Sequence, residues 1–295
     1  MSIGGATRLV GIIGDPVTHS LSPAIHNAAF AALSIDFAYV PLTVPAERVG
    51  EAVAGLRALG FRGANVTMPY KAAVLPFLDE VSSDARLIDA VNTIVVDDGR
   101  LTGHTTDGEG FARALREVES GGAGGAAVLL LGAGGAARAV ALALAREGVG
   151  SLTIADRTPA AAERLIERLR PCLDDVACRV VPLDQLAPAD VDSASLIVNA
   201  TPLGMTRSLK LPAVVVDTIR RGHVVFDLVY RKRPTNLLDE ARLRGARTVD
   251  GLSMLVWQAA GSFELWTGRP APLDVMRSAA RARRATAEEE PAQDR

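Results

Sequence analysis

The residues with the clearest chemical potential form a glycine-rich turn between an apolar strand and a helix. The segment Val128-Leu-Leu-Leu-Gly132-Ala133-Gly134-Gly135-Ala136-Ala137-Arg138 starts fully apolar and becomes helix-like after its glycines. Glycines let the backbone approach phosphates, while free N–H groups and the dipole at a helix start favour negative charge. The segment therefore predicts a pyrophosphate site over 132–136, with an ordinary tight turn as the alternative.

A carboxylate follows the next strand, at Asp156, 24 residues after Gly132. In a dinucleotide-binding domain, a carboxylate at this place binds the adenosine ribose. Asp156 also precedes a helix, where aspartate is a good cap, so both roles stay open. The neighbouring Arg157 can bond a 2′-phosphate or stack on adenine.

Two hydroxyl side chains, Ser20 and Ser22, lie just before and at the start of an N-terminal helix that opens with Ser22-Pro23. This arrangement suits a small carboxylate, because a helix start attracts anions. Helix capping is the alternative, above all for Ser22. His19 and His26 have no further metal-binding residue at ligand spacing, so we expect no metal site there.

Short apolar strands that alternate with helices must position these groups. Strands are predicted at 8–14, 37–44, 63–67, 127–131, 152–156, 179–182, 196–200 and 224–229, with a hairpin over 92–101. Helices are predicted from Ser22 and Asp107 and over 47–59, 136–147, 159–169 and 253–268, with a last helix to about 284. Strand–helix–strand repetition predicts mainly parallel sheets, doubly wound in the second half.

The length of 295 residues fits two modest domains. The sequence predicts an α/β fold with an N-terminal α/β substrate domain over 1–104. A doubly wound Rossmann-type domain is predicted over 105–252. The amphipathic helices over 253–284 can return to the first domain, and the polar tail over 285–295 is predicted to be disordered.

Composition and charge exclude several classes of protein. The net charge of −2 and the scattered basic residues argue against a nucleic-acid binder, which leaves a small molecule as the expected partner. Cys172 and Cys178 are too few for a disulfide framework or a zinc site. The apolar tract over 126–145 contains Arg138 and a glycine turn, so we expect a buried strand and helix, no membrane span and a cytoplasmic location.

Six further segments occur in an order that resembles the shikimate dehydrogenase family over about residues 8–280. Their number and order make a chance match implausible. The segments are Asn65-Val-Thr67-Met-Pro69-Tyr-Lys71, Ala90-Val-Asn92-Thr93, Thr106-Asp107-Gly108, Asn199-Ala-Thr201-Pro-Leu-Gly204-Met205, Asp227-Leu-Val-Tyr230 and Gly251-Leu-Ser-Met-Leu-Val-Trp-Gln258.

The resemblance implies a role for individual residues, and these roles extend the site beyond what the residue types alone indicate. Lys71 and Asp107 would be the catalytic pair, and Leu228 and Gly251 would line the nicotinamide pocket. The site would lie in a cleft between domains, with the C-terminal helices rejoining the first domain. The substrate would be held by Ser20, Ser22, Thr67, Asn92, Tyr230 and Gln258.

The implied chemistry needs such a pair. When hydride passes from a carbinol carbon to nicotinamide, a group within hydrogen-bond reach must take the hydroxyl proton. Lys71 can exchange this proton, and Asp107 can accept a hydrogen bond from Lys71 or from the substrate. Each alone also fits a plain role, a solvated lysine and a helix cap. How the two residues share the proton stays open at this point.

Three departures from the family pattern bear on these expectations. Thr105 stands where the family commonly has Asn, which concerns the support of Asp107, and the basic loop 231–233 replaces a frequent Asn-Pro. Asp156 stands where relatives that use NADP usually have Asn. A carboxylate repels a 2′-phosphate, so the sequence favours NAD, with NADP possible through Arg157.

The substrate expectation is shikimate, with quinate or dual specificity as the alternative. Serine at position 20, where quinate-preferring enzymes often carry Thr, favours shikimate. A catalytically silent metabolite sensor is a more remote alternative, since a fold does not guarantee its chemistry. A folate-linked dehydrogenase fits the serine pair less well. Monomer and homodimer both remain open.

Overall fold

The computed structural model describes residues 3–206 and 208–286. The strands are β1 (Arg8–Gly14), β2 (Phe37–Thr43), β3 (Gly63–Val66), β4 (Glu80–Val81), β5 (Thr93–Asp97), β6 (Arg100–His104), β7 (Ala127–Leu131), β8 (Ser151–Asp156), β9 (Ala177–Pro182), β10 (Leu196–Asn199), β11 (Val224–Asp227) and β12 (Arg247–Asp250). The helices are α1 (Ser22–Ala32), α2 (Val49–Ala58), α3 (Ser83–Ile88), α4 (Asp107–Arg116), α5 (Gly135–Arg146), α6 (Pro159–Leu169), α7 (Pro188–Asp192), α8 (Ala213–Thr218), α9 (Asn236–Leu243), α10 (Gly251–Thr267) and α11 (Leu273–Thr286).

The chain divides into two compact units. In the described part, the first unit holds the chain up to Asp107 and again from Val256, and the second unit holds Gly108–Leu255. The sequence predicted that the chain passes between the two domains after residues 104 and 252. Both predicted points lie three residues before the observed ones. Most of α10 and all described residues of α11 therefore belong to the first unit, where α11 packs against α1.

The sheet of the first unit has the order β2-β1-β3-β5-β6-β4. β1 runs parallel to β2 and β3, whereas β5 runs antiparallel to β3 and β6. The turn between β5 and β6 places Asp98 and Gly99 at φ values of 46° and 76°. An Asp-Gly pair tolerates these left-handed conformations, which explains why the hairpin forms at this point.

The second unit contains a six-stranded parallel sheet with the order β12-β11-β10-β7-β8-β9. The chain starts at the central strand β7, proceeds to one side and then crosses to the other, which is the doubly wound arrangement. Buried aliphatic residues such as Leu129, Ile197 and Val225 form its core. The predicted fold class, α/β with a Rossmann-type second domain and returning C-terminal helices, is confirmed.

Several elements differ from the prediction or were not predicted. The predicted helix over 47–59 begins as a 3-10 turn, Ala46–Arg48. Short elements such as β4, α3 and β12 gave no sequence pattern. Helix α11 extends to Thr286, whose hydroxyl bonds the carbonyl of Ala282, so the prediction of disorder from residue 285 is wrong for its first two residues. The remainder of that predicted tail, 287–295, lies outside the described residues.

Within the described ranges, no helix combines the length and apolar character needed to cross a bilayer.

Candidate active site and dinucleotide loop

Strand direction gathers the predicted substrate residues of the first unit at one edge of its sheet. The parallel strands β1 and β3 end side by side, and β5 begins there because it runs antiparallel to β3. The loop after β1 carries Ser20 and leads into α1 at Ser22, and the loop after β3 carries Thr67 and Lys71. Asn92 immediately precedes β5. Residues distant in sequence are thus brought together by topology.

Lys71 and Asp107 form an ion pair, with 2.5 Å between Nζ and Oδ2. Their side chains are 17% and 8% exposed, so the pair is largely shielded from water. The second carboxylate oxygen accepts a 2.9 Å hydrogen bond from Asn92 Nδ2. Both oxygens of Asp107 are therefore held by side chains, although the residue opens helix α4. The Lys71 ammonium keeps further hydrogens that can bond a ligand hydroxyl.

The orientation of the Asn92 amide is set by a backbone donor. The N–H of Thr106 donates to Asn92 Oδ1 over 2.8 Å. Because a backbone N–H can only donate, the facing atom must be the amide oxygen. Nδ2 is then directed to Asp107 and, over 3.3 Å, to Oε1 of Gln258. Asn92, Asp107 and Gln258 thus form one cluster within the first unit.

A buried polar layer supports this cluster, and most of it was missed by the sequence reasoning. Asn65 Nδ2 donates to the carbonyl of Asn92 and to Ser262 Oγ, over 3.1 and 2.9 Å. Tyr39 Oη donates to Asn65 Oδ1 over 2.7 Å. Asn65 belongs to a recognised motif. Ser262 had one available signal, a small polar residue within a strongly apolar helix.

Ser20 and Thr67 lie in the loops that follow β1 and β3, and Ser22 is the first residue of α1. Helix α1 starts at Ser22, and its cap position is Leu21, so the Ser22 side chain is not the helix cap. The Ser22 N–H donates to Ser20 Oγ over 3.2 Å. Ser22 is buried, and within the described part of the chain its hydroxyl makes no hydrogen bond. This hydroxyl has the capacity to bind a ligand.

The glycine-rich turn in the second unit has the features expected of an anion site. Gly132 has a φ of 106°, and a Cβ there would lie 3.1 Å from the carbonyl oxygen of Ala200. Gly134 is the cap residue of α5, and no side chain caps the helix. The amide groups of Gly135 and Ala136 at this helix start are therefore available to phosphate oxygens.

Asp156 is engaged by the backbone on both sides. Its Oδ2 accepts from the Ala133 N–H over 2.9 Å, and its Oδ1 accepts from the Thr158 N–H over 2.7 Å. The carboxylate thus joins the end of β8 to the glycine-rich turn. Arg157, the next residue, is exposed.

The remaining predicted site residues of the second unit follow β11 and β12. The Leu228 N–H donates to the carbonyl of Asn199 over 2.9 Å. A Cβ at Gly251 would lie 2.1 Å from the Leu228 carbonyl oxygen, so only glycine fits this approach. Tyr230 is half-buried, and burial raises the pKa of its hydroxyl.

His26, one of the two histidines noted in the sequence, makes no hydrogen bond to this cluster. His26 is fully buried and stacks on Tyr39, with ring centroids 4.5 Å apart. Burial lowers the pKa of His26 to about 3, so it is neutral and acts as a packing group. Across the described residues, no group of three or more His, Cys, Asp or Glu side chains could hold a metal ion.

Comparison with known families gives matches along most of the chain. Residues 12–94 match the shikimate dehydrogenase substrate binding domain. Residues 114–209 match shikimate / quinate 5-dehydrogenase, and residues 251–281 match the shikimate 5'-dehydrogenase C-terminal domain. The chain is 47% identical to the shikimate dehydrogenase (NADP(+)) of Methanopyrus kandleri over 281 residues, which is 95% of this chain and 97% of that protein.

Solved structures give the same picture. Shikimate 5-dehydrogenase from Thermus thermophilus, in complex with NADP(H) and shikimate, is 38% identical with a TM-score of 0.83, covering 94% of this chain and 100% of that one. Quinate dehydrogenase from Corynebacterium glutamicum, in complex with NAD, is 35% identical with a TM-score of 0.84, covering 92% of this chain and 98% of that one.

Proposed function

The chain belongs to the shikimate dehydrogenase family, and from this premise we propose that it reversibly transfers hydride between shikimate and a nicotinamide dinucleotide. The product of shikimate oxidation is then 3-dehydroshikimate. The observation that carries the proposal is the Lys71–Asp107 ion pair, whose carboxylate Asn92 holds at the same edge of the first sheet as the loops that carry Ser20 and Thr67.

In this proposal, Lys71 and Asp107 handle the proton of the reacting hydroxyl. In the direction of ketone reduction, the Lys71 ammonium donates a proton to the oxygen that gains charge. Asp107 holds the ammonium in position at 2.5 Å and stabilises its positive charge. In the opposite direction, Lys71 takes the proton back. The bond from Asn92 to Asp107 fixes the orientation of the carboxylate.

The hydroxyl and amide groups around the pair are proposed to hold the substrate. Ser20 lies just before α1 and Ser22 is its first residue, and both suit the carboxylate of shikimate, because hydroxyl donors and a helix start favour an anion. Thr67, Asn92 and Gln258 suit its ring hydroxyls, since each offers donors and acceptors. Tyr230, in the second unit, is proposed as a further substrate contact on the strength of the family motif.

The second unit fits a dinucleotide, which supplies or accepts the hydride when bound. Gly134 has open space around it, and the uncapped start of α5 offers amides to the pyrophosphate. Gly132 to Ala136 are the residues that would hold it. Leu228 and Gly251 are proposed to line the nicotinamide pocket. Because Gly251 has no side chain, the Leu228 backbone can approach it closely.

For the cofactor, we propose NADP. The sequence favoured NAD because of Asp156, and this preference is not confirmed, since the relative at 47% identity is named for NADP(+). The hydrogen bonds of Asp156 offer a reason: its carboxylate is used by the amides of Ala133 and Thr158, which leaves exposed Arg157 to bond a 2′-phosphate. NAD remains the alternative, as it is the ligand in the quinate dehydrogenase structure.

The test is one set of assays on the purified protein, with shikimate and quinate each offered together with NADP and with NAD. We expect the highest kcat/KM for shikimate with NADP. Quinate is the second candidate substrate, which the similarity to quinate dehydrogenase favours. A higher kcat/KM for quinate would reassign the substrate, and no turnover of either compound with either dinucleotide would contradict the proposed function.

A further inference from the structure

A second buried carboxylate, Asp227, lies at the end of β11 and has no place in the proposed chemistry. It is fully buried, and its Oδ1 accepts hydrogen bonds from Asn199 Nδ2 and the Val229 N–H, over 2.9 and 3.1 Å. Its Oδ2 accepts from Thr235 Oγ1 over 2.5 Å. One side chain thus connects the end of β10, the segment after β11 and the start of α9.

Asn199, the partner of Asp227, organises the loop that follows β10. Its Nδ2 also donates to the carbonyl of Leu203 over 3.0 Å. Its Oδ1 accepts from the Thr201 N–H and the Thr201 hydroxyl, over 3.1 and 2.6 Å. Because the same amide bonds Asp227, the conformation of the loop 199–204 is coupled to that carboxylate.

The segment 228–231 is fixed to this loop at both ends. At its start, the Leu228 N–H bonds the carbonyl of Asn199, and the Val229 N–H bonds Asp227. At its end, Arg231 Nη1 donates to the carbonyl of Gly204 over 2.9 Å. Leu228 and Tyr230, the proposed nicotinamide and substrate contacts, lie between these attachments. The placement of both residues therefore depends on the Asp227 network.

Keeping a carboxylate at this position is costly. Burial raises the pKa of Asp227 to about 6, although its three hydrogen bonds oppose the rise, and the charge of Asp250 adds to it. Described contacts of the Asp227 side chain come from neutral donors, and among them no cation compensates its charge. This costly group lies where the loop 199–204 and the segment 228–231 are joined.

We propose that Asp227 is a positioning residue, which acts through Asn199 and Val229 to hold Leu228 and Tyr230 in the orientation that the dinucleotide and the substrate require. The proposal rests on the proposed function, since it assumes that Leu228 and Tyr230 contact these ligands. Asp227 itself is fully buried among protein groups. Its removal should loosen the segment 228–231 and the loop 199–204 together.

The test compares Asp227→Ala with Asp227→Asn. The alanine variant loses all three hydrogen bonds, and we expect its KM for shikimate and the Kd of the dinucleotide, measured by calorimetry, to rise about tenfold or more. Hydrogen exchange at the amides of Leu228, Val229 and Thr201 should become faster. The asparagine variant keeps an oxygen toward Asn199 and Val229, so it should restore KM and Kd to within about threefold of wild type.

Asp190→Ala is the matched control for lost stability. Asp190 also anchors a helix start in the second unit, by accepting from the Ala187 N–H and pairing with Arg179, but it lies in α7 and makes no described hydrogen bond to either segment. This variant should lower Tm without raising KM or Kd. The positioning role is overturned if Asp227→Ala lowers Tm but leaves KM, Kd and local exchange as in Asp190→Ala. Failure of the proposed function would be distinct, because wild type itself would not turn over shikimate.

Discussion

Buried carboxylates have opposite surroundings in the two units. Asp107, in the first unit, faces the Lys71 ammonium on one oxygen and the Asn92 amide on the other. Asp227, in the second unit, is enclosed by Asn199, Thr235 and a backbone N–H. The first carboxylate has a charged partner that can also exchange a proton with a ligand. Among the described contacts, the hydrogen-bond donors to the second carboxylate are neutral.

The comparison shows that the ion-pair and hydrogen-bond partners of a buried carboxylate indicate its function. An ion pair at a loop edge, with unused hydrogens on the lysine, can take part in proton transfer. A carboxylate that accepts hydrogen bonds only from the ends of neighbouring strands and helices fixes the positions of these ends relative to one another. Asp156 belongs to the second kind, because it bonds the amides of Ala133 and Thr158. From sequence, its position after β8 left ribose binding and helix capping both open.

The largest effect is expected from breaking the ion pair. Lys71→Ala should lower kcat for shikimate by about 10²–10⁴-fold with little change in KM, because the lysine acts in proton transfer rather than in substrate binding. Steady-state kinetics at neutral pH measures this. Lys210→Ala, which removes an exposed lysine of the second unit, serves as the control and should retain wild-type kcat. A Lys71→Ala variant with more than about a tenth of wild-type kcat would remove Lys71 from the chemistry.

An intermediate effect should appear in the pH dependence of stability. The pKa of Asp227 is about 6 in the folded protein, whereas an unperturbed aspartate carboxyl has an ordinary pKa of 3.8. The folded state therefore binds more protons in this window, so the contribution of Asp227 to stability is present below pH 3.8 and is lost as pH rises through 6. A pKa rise of this size corresponds to a loss of about 3 kcal/mol of stability.

Urea unfolding of wild type and Asp227→Asn, measured between about pH 4 and 7, tests this linkage, because this range covers the titration of Asp227. The asparagine side chain cannot ionise, so the free energy of unfolding of the variant should increase relative to that of wild type as the pH rises. If the two stability curves stay parallel across that range, Asp227 does not titrate as its surroundings imply, and the contrast with Asp107 loses its electrostatic basis.

The smallest effect concerns the choice of dinucleotide. Arg157→Leu should raise KM for NADP about tenfold, which is about 1.4 kcal/mol, and leave KM for NAD nearly unchanged. Asp156→Asn should change the ratio of the two KM values less, because its carboxylate is already bonded to the protein. If the ratio instead follows Asp156→Asn and ignores Arg157→Leu, the carboxylate discriminates between the cofactors, and Asp156 would resemble Asp107 more than Asp227.

Much of the architecture was accessible from sequence, for reasons of periodicity and turn chemistry. Strand β1 and strand β7 were predicted with the observed bounds, since each is an almost entirely apolar run that ends at or next to a glycine. The Asp98-Gly99 turn located the hairpin. Elements with little buried surface, such as β4 and β12, gave no such signal. Their conformation depends on pairing with neighbouring strands, which local sequence does not encode.

The sequence by itself determined the order of the strands and helices, the glycine-rich turn and the residue types that can do chemistry. These features depend on local backbone preferences and on short spacings along the chain. Tertiary structure alone decided which polar groups meet. Only folding brings Asn92 to Asp107 and Gln258, makes Asp156 an anchor for the glycine-rich turn and buries Asp227 among neutral donors. Hydrogen bonds between residues far apart in the chain depend on strand order and direction, and no local pattern records them.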